Sequence, residues 1–298
     1  MVTASPPTES PKAWLLRQVL GLVYVLRPHR AADAPFLAWA TLARLLKPGP
    51  RVPDVESLFT RPTGYGGPVE DESVPALMAG MRNGFYLMSH CGPRKWWSPP
   101  RRGVMRLADV RIPRRFRRTM RTCGFTVAFD TAFAEVVRAC AAPRKSFHLT
   151  WLYPSTQKLL CDLHDAGFAH SVEVRDESGE LVGGVFGVMA GPVFSALSMF
   201  HTRNDASKLA LIALYRQLAA CGVHTVDHMV LSPWVADLGG VDITRDELLT
   251  LLRGPDPECA RPGRWSAVAT TTDIAEWQPL AAAESGDEKP VRAVAARG

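Results

Sequence analysis

Residues 194–210, FSALSMFHTRNDASKLA, gather residue types that hold anions. An apolar, β-prone run from Phe194 to Phe200 gives way to Asn204, Asp205, Ala206, Ser207 and Lys208. Beyond them Leu209, Ala210, Leu211, Ile212 and Leu214 recur at helical spacing. A strand entering a polar helix start presents unpaired backbone N–H groups at the positive end of the helix dipole, which favours a bound anion. His201 to Lys208 contain no glycine, so the backbone is not shaped for close approach to a pyrophosphate. The anion would be met by the side chains of Arg203, Asn204, Ser207 and Lys208. A solvated helix start with no ligand is the other reading of the same residues.

A second basic element lies at residues 111–121, RIPRRFRRTMR. Pro113 suits a first helical turn, and from there Arg114, Arg115, Arg118 and Arg121 fall on one side while Ile112, Phe116 and Met120 fall on the other. Cations near a helix N-terminus oppose the dipole, and an anionic partner offsets that cost. Clustered arginines most often meet backbone phosphates. Trp96, Trp97 and Trp151 are aromatics on which a nucleobase could stack, although a lone tryptophan is more often core.

These residues need a scaffold, and the composition allows one. The chain has 298 residues, 47% of them hydrophobic, enough for one large domain or two small ones. A formal charge of +6 and a pI near 9.1 suit a phosphate-bearing partner. The six cysteines show no CxxC pair, so neither a zinc site nor a disulfide framework is indicated, and a reducing cytoplasm is expected. The apolar stretch Trp14–Leu26 is too short to span a bilayer and reads as an amphipathic helix. Residues 1–12 and 281–298 read as mobile tails, and residues 13–55 as helices broken at Pro28 and Pro48–Pro50. Ser73 is placed to cap a short helix ending near Asn83, and KWWSPPRR (95–102) reads as a proline-stiffened loop. A short strand at Phe125–Phe129 and a helix at Thr131–Cys140 follow the basic helix. After a helix at Thr156–Ala166, the segments His170–Arg175, Leu181–Met189 and Val193–His201 read as a three-stranded meander with turns at residues 177–179 and 190–192. A helix at Asp205–Cys221, a strand at His224–Leu231 and a helix at Thr244–Arg253 complete the order. The expected fold is α/β: a small N-terminal domain (13–103), then an N-acyltransferase-like (GNAT-like) domain (104–256) with a mixed, mainly antiparallel sheet, then an extension (257–298).

In order and spacing, KWWSPPRR, FDTAFAEVVRACAAPR (129–144), TWL (150–152), LHDAGFAHSVEV (163–174), LVGGVFG (181–187), SMF with NDASKLAL, and DLGGVDITRDELL (237–249) resemble the leucyl/phenylalanyl-tRNA–protein transferases over roughly Tyr65–Arg253. That family moves an amino acid from the 3′ end of an aminoacyl-tRNA onto an N-terminal Arg or Lys of a protein. The resemblance implies that Trp97 and Trp151 flank the terminal adenosine, that the helix after Pro113 grips the acceptor stem, and that neither cofactor nor metal is needed. It implies a soluble enzyme with aminoacyl-tRNA and an amine as partners and no membrane.

The departures from the family pattern fall at polar positions. Asp-Cys-Gln of the family is Asp227-His228-Met229 here, so a thioether stands where an amide is expected. Gly-Glu-Ser-Met-Phe is Ala196-Leu197-Ser198-Met199-Phe200, without the carboxylate. Leu160 replaces a tyrosine, Arg175 a tryptophan, and a histidine expected near Trp234 is absent. Strand alternation would set Leu197 and Met199 on one face, and Asp227 and Met229 on one face of the next strand. The substrate pocket is then expected to be apolar, built from Phe194, Leu197, Ser198, Met199 and Met229. Asp227 would align or deprotonate the amine, with His228 or His201 as substitutes for the lost groups. The leading function is an aminoacyl-tRNA-dependent aminoacyltransferase whose acceptor is a protein N-terminus or a specialised small amine. A non-catalytic tRNA-binding homologue and an acyl-CoA N-acyltransferase are the alternatives.

Overall fold

The structure, a computed structural model, describes residues 10–25, 64–89, 92–142, 150–266 and 269–279 with scattered positions between 35 and 55. Its elements begin with α1 (Pro11–Val25), β1 (Tyr65–Pro68), α2 (Val74–Arg82), β2 (Tyr86–Leu87), β3 (Lys95–Trp97) and β4 (Arg101–Arg106). Next come α3 (Arg114–Thr122), β5 (Thr126–Phe129), α4 (Phe133–Ala141), α5 (Pro154–Asp165), β6 (Ala169–Arg175), β7 (Leu181–Ala190) and β8 (Val193–His201). The chain continues with α6 (Ala206–Ala220), β9 (Thr225–Asp227), α7 (Pro233–Asp237), β10 (Val241–Thr244), α8 (Arg245–Leu252) and α9 (Thr271–Glu276).

The alternating runs from 169 to 201 pair as the expected antiparallel meander, with left-handed glycines Gly179 and Gly191 in its two turns. The meander is the centre of a seven-stranded sheet of order β10-β4-β9-β8-β7-β6-β5. All neighbours are antiparallel except β8 and β9, which run parallel, so the sheet is mixed and mainly antiparallel as expected. A parallel pair needs a crossover, and α6 supplies it. That helix is buried on nearly every side, from Ala206 through Leu218. One core cluster joins α6 to α3, α9 and one sheet face; a second joins α2, α4 and α5 to the other face. Each fully buried Leu or Val in them contributes roughly 1.5–3 kcal/mol.

Several expectations change. KWWSPPRR is not a loop: Lys95–Trp97 is the middle strand of a small β1-β3-β2 sheet, and Arg101–Arg106 lies between β10 and β9 in the main one. The strand expected over His224–Leu231 stops at Asp227, because Met229 adopts φ +62° and the chain turns. Helix α1 is present, but Trp14, Leu15, Leu16 and Val19 are exposed, so its apolar residues form no single buried stripe. It begins at Pro11, inside the segment expected to be a tail. Ser73 stands at the start of α2 without a capping hydrogen bond. Cys221 and Cys259 form a disulfide with Cα atoms 5.9 Å apart, which their spacing did not indicate. The stretch between Pro28 and Pro50 lies for the most part outside the described residues, as does 281–298.

The motif LHDAGFAHSVEV builds framework at the far edge of the sheet. Asp130 accepts hydrogen bonds from the backbone N–H of Ser171 and of Trp265 and pairs with His170 Nδ1 at 2.8 Å, while Trp265 stacks on the His170 ring. Glu173 takes bonds from Thr131 and Ser171, and burial still raises its carboxyl above the usual range. Sequence order alone does not separate this buried network from a catalytic one.

Candidate active site

The parallel pairing of β8 with β9 lasts for Val193–Thr225, Phe194–Val226 and Ser195–Asp227. Beyond it β8 continues to His201, whereas residues 228–230 stay with β4. His228 N–H donates to Gly103 O at 2.8 Å and Gly103 N–H to Met229 O at 3.2 Å. Val230 N–H donates to His228 O at 2.6 Å, closing a γ-turn about Met229. The two strands therefore separate, and a cleft of about 840 Å³ opens between them. The end of β8 from Ala196 to His201, with Thr202 after it, lines one side, and His228, Val230, Ser232 and Val235 the other; Leu181, Val185, Ser207 and Leu211 also line it. Among the described residues that line it, none is an acid, a lysine or an arginine.

Glycine makes two of the close approaches this geometry needs. A Cβ on Gly183 would sit 2.6 Å from Ala206 Cβ, so glycine lets the start of α6 lie against β7. A Cβ on Gly103 would sit 2.3 Å from Leu231 N, so glycine lets the turned segment lie against β4.

Asp227 does not line the cleft. It forms an ion pair with Arg102 in which both side chains are 2% exposed. Arg102 Nε donates to Asp227 Oδ1 at 3.3 Å and its Nη2 to Oδ2, while Oδ1 also accepts from Met229 N–H at 2.9 Å. The remaining guanidinium contacts are Gly84 O at 2.8 Å, Met229 Sδ at 2.9 Å and the Tyr86 ring at 5.0 Å. Asp227 and Met229 are thus brought together by a turn and a shared arginine, not by strand alternation. Burial raises the Tyr86 phenol above its ordinary value, with Arg102 opposing the shift. Arg102 was not singled out by sequence.

Leu197 and Met199 also part company. The register of β7 against β8 steps from Gly187–Ala196 to Phe186–Ser198, which leaves Leu197 as the extra residue of a bulge. Leu197 packs with the cluster that holds Phe200, and Met199 with the one that holds α6. Both still reach the cleft, as does Ser198, while Phe194 is fully buried beneath it.

His201 is exposed at the rim, its Nδ1 3.1 Å from Ser207 Oγ. His228 is half-buried in the wall, its Nε2 2.7 Å from Tyr215 Oη, and burial lowers its pKa to about 4. Trp97 and Trp151 are half-buried outside the cleft lining; Trp97 Nε1 donates to Met88 O at 2.9 Å.

The two basic elements prove to be neighbours. Arg114, Arg115, Arg118 and Arg121 are exposed along α3, while Phe116 and Met120 are buried. Phe116 meets Trp234 edge to face at 5.6 Å, and Lys208 lies over the same indole at 4.6 Å. Trp234 therefore joins the arginine helix to the start of α6. Lys208 is also paired with Asp205 at 2.8 Å, and Arg203 with Asp176 at 3.3 Å; Arg203 and Asn204 are exposed. Arg121 lies 3.9 Å from Glu276. Among the described residues no group of three or more His, Cys, Asp or Glu is placed to hold a metal ion. Nor is any helix among them long and apolar enough to cross a membrane.

Residues 104–253 match the family model described as leucyl/phenylalanyl-tRNA protein transferase. A leucyl/phenylalanyl-tRNA–protein transferase from Aromatoleum aromaticum is 38% identical over 218 residues, covering 73% of this chain and 92% of that protein. One from Hahella chejuensis is 40% identical over 201 residues, covering 67% and 86%. Among solved structures, FemX overlaps 51% of this chain and 64% of its own at 12% identity, with a TM-score of 0.37.

Proposed function

From the premise that this chain belongs to the leucyl/phenylalanyl-tRNA–protein transferase family, we propose that the cleft between β8 and β9 is where an aminoacyl group passes from tRNA to an amine. The observation that carries this reading is the opening of the sheet into a cleft whose polar side chains, among the described residues, are hydroxyls and imidazoles. Such a lining suits an ester that is already activated, which needs alignment and hydrogen bonding more than acid–base force. The amine nitrogen attacks the ester carbonyl, the new C–N bond forms, the C–O bond to the terminal ribose breaks, and the amine proton ends on the departing ribose oxygen.

His201, steadied by Ser207 at the rim, is the group we assign to carry that proton. Asp227 acts through alignment: with Arg102 it fixes the turn that sets His228 in the cleft wall, while Met229, which does not line the cleft, packs its sulfur against Arg102. Among the described residues the cleft lining holds no carboxylate, which favours an acceptor without a cationic side chain over an Arg- or Lys-starting protein. No metal or organic cofactor has a part in these steps, and with aminoacyl-tRNA as donor the reaction belongs in the cytoplasm. Trp97 and Trp151, both half-buried, are assigned to the terminal adenosine.

The tRNA would lie along α3 and the start of α6, where Trp234 joins the two basic elements. Arg114→Ala, Arg115→Ala and Arg118→Ala are each expected to weaken binding about equally for all tRNAs. Each should reduce the slope of log affinity against log salt by about one per lost phosphate contact. Filter-binding titrations across salt concentrations measure this, and an unchanged slope would remove α3 from the interface.

A further inference from the structure

Tyr215 sits within α6 and is fully buried. Among the described residues its hydroxyl has one hydrogen-bond partner, Nε2 of His228, at 2.7 Å, with the two rings edge to face at 82°. A buried hydroxyl that lacks an acceptor costs about 1–3 kcal/mol, so the phenol gives its proton to that nitrogen. Burial pushes the phenol's pKa well above its ordinary value, which keeps the proton available for donation. With Nε2 accepting, the proton of the neutral imidazole must sit on Nδ1. Among the described residues Nδ1 has no hydrogen-bond partner, it is not sealed from solvent, and the residue is part of the cleft wall. The same lining combines apolar side chains, among them Val185, Met199 and Leu211, with a few hydroxyls.

We infer that Tyr215 fixes His228 as a neutral Nδ1–H donor in the cleft wall, and that this pair selects a substrate side chain carrying an uncharged acceptor atom over its hydrocarbon isostere. The inference rests on the proposed role of the cleft as the substrate site. It goes further by naming the chemistry that the site reads. An apolar pocket discriminates only weakly against an isostere that adds a hydroxyl, whereas a site with a buried donor rejects the analogue that leaves this donor unpaired. His228 would touch substrate; Tyr215 is a positioning residue that acts through it. The acceptor atom could belong to the donated aminoacyl group or to the amine, and either would meet the same N–H.

The test compares isosteric pairs in two arms. In the first, tRNA charged with Thr or Val, Asn or Leu, and Tyr or Phe is offered with one peptide amide as acceptor. In the second, Phe-tRNA is offered with threoninamide or valinamide. The wild-type protein should favour the oxygen-bearing member on the order of 10- to 100-fold in kcat/KM in one arm, and that arm identifies the source. Tyr215→Phe keeps the ring in the core and should shrink the ratio, and His228→Leu should bring it to about one; circular dichroism checks that both remain folded. Equal rates within every pair of both arms, or a preference that survives His228→Leu, would overturn the inference while leaving the transferase reading intact. Absence of any transfer would count against the transferase reading instead. The inference would then be decided by calorimetric binding of amide-linked 3′-aminoacylamino-adenosine analogues of the same pairs, with equal affinities overturning it.

Discussion

Replacing Arg102 with leucine is expected to lower stability by about 3–5 kcal/mol and to abolish transfer. The substitution leaves the Asp227 carboxyl 2% exposed without its ion-pair partner, with Met229 N–H as its one remaining donor among the described residues. It also removes the group that holds Gly84 O, Met229 Sδ and Asp227 in one place. In a protein of this size the loss corresponds to a fall in melting temperature on the order of 10 °C. The double variant Arg102→Leu, Asp227→Leu should regain most of that stability, since an apolar pair of similar volume often replaces a buried ion pair without net loss. It should not regain activity, because the turn that carries His228 and Met229 has lost its anchor. Differential scanning calorimetry and transfer assays on the three proteins read both results. A single variant as stable as wild type would show that the pair carries little of the local fold. A double variant that recovers transfer would take Asp227 out of the mechanism.

Gly103→Ala should be as damaging to activity through backbone geometry alone. The added methyl would meet Leu231 N at 2.3 Å, Leu231 Cα at 2.6 Å and Val230 C at 2.8 Å, all of them main chain. No rotamer can relieve that contact, so the segment 228–231 must move off β4. Overpacking of this kind costs about 1–3 kcal/mol. Displacing a reacting group by about 1 Å can cost on the order of 100-fold in rate, so transfer should fall at least that far. Gly263→Ala is the control: its Cβ would meet nothing nearer than 4.0 Å and its φ is not in the left-handed region, so stability should stay within about 0.5 kcal/mol. Similar rates for the two variants would mean that the turn does not position the site.

What could be read from the sequence follows the range of the forces involved. The meander from 169 to 201, helix α6 and the two faces of α3 were legible because local periodicity decides them, and the far end of β8 fell at His201 as expected. β3 and β4 were hidden because Pro99 and Pro100 separate them, β3 is only three residues long, and β4 is held by partners distant in sequence, β9 and β10. The run HTVDHMVL reads as one strand, yet contacts to Gly103 force Met229 into the left-handed region and end the strand at Asp227. One extra residue at Leu197 reversed the expected facing of Leu197 and Met199. The pairing of Arg102 with Asp227 and of Tyr215 with His228 depends on register between strands and on how α6 lies against them. Arg102, directly before the apolar Gly103-Val104-Met105 in RRGVMR, was the available hint that a buried carboxylate had to face it.

The most direct test of the central claim is to mix the purified protein with a radiolabelled pool of all aminoacyl-tRNAs, a set of neutral and basic peptide amides, and extract of the producing cell. Passage of label from tRNA into an acid-stable amide, favouring acceptors without a cationic side chain, is the predicted result. Charged tRNA that stays bound and unconsumed under these conditions would contradict it, and would make the cleft a binding site rather than a place of reaction.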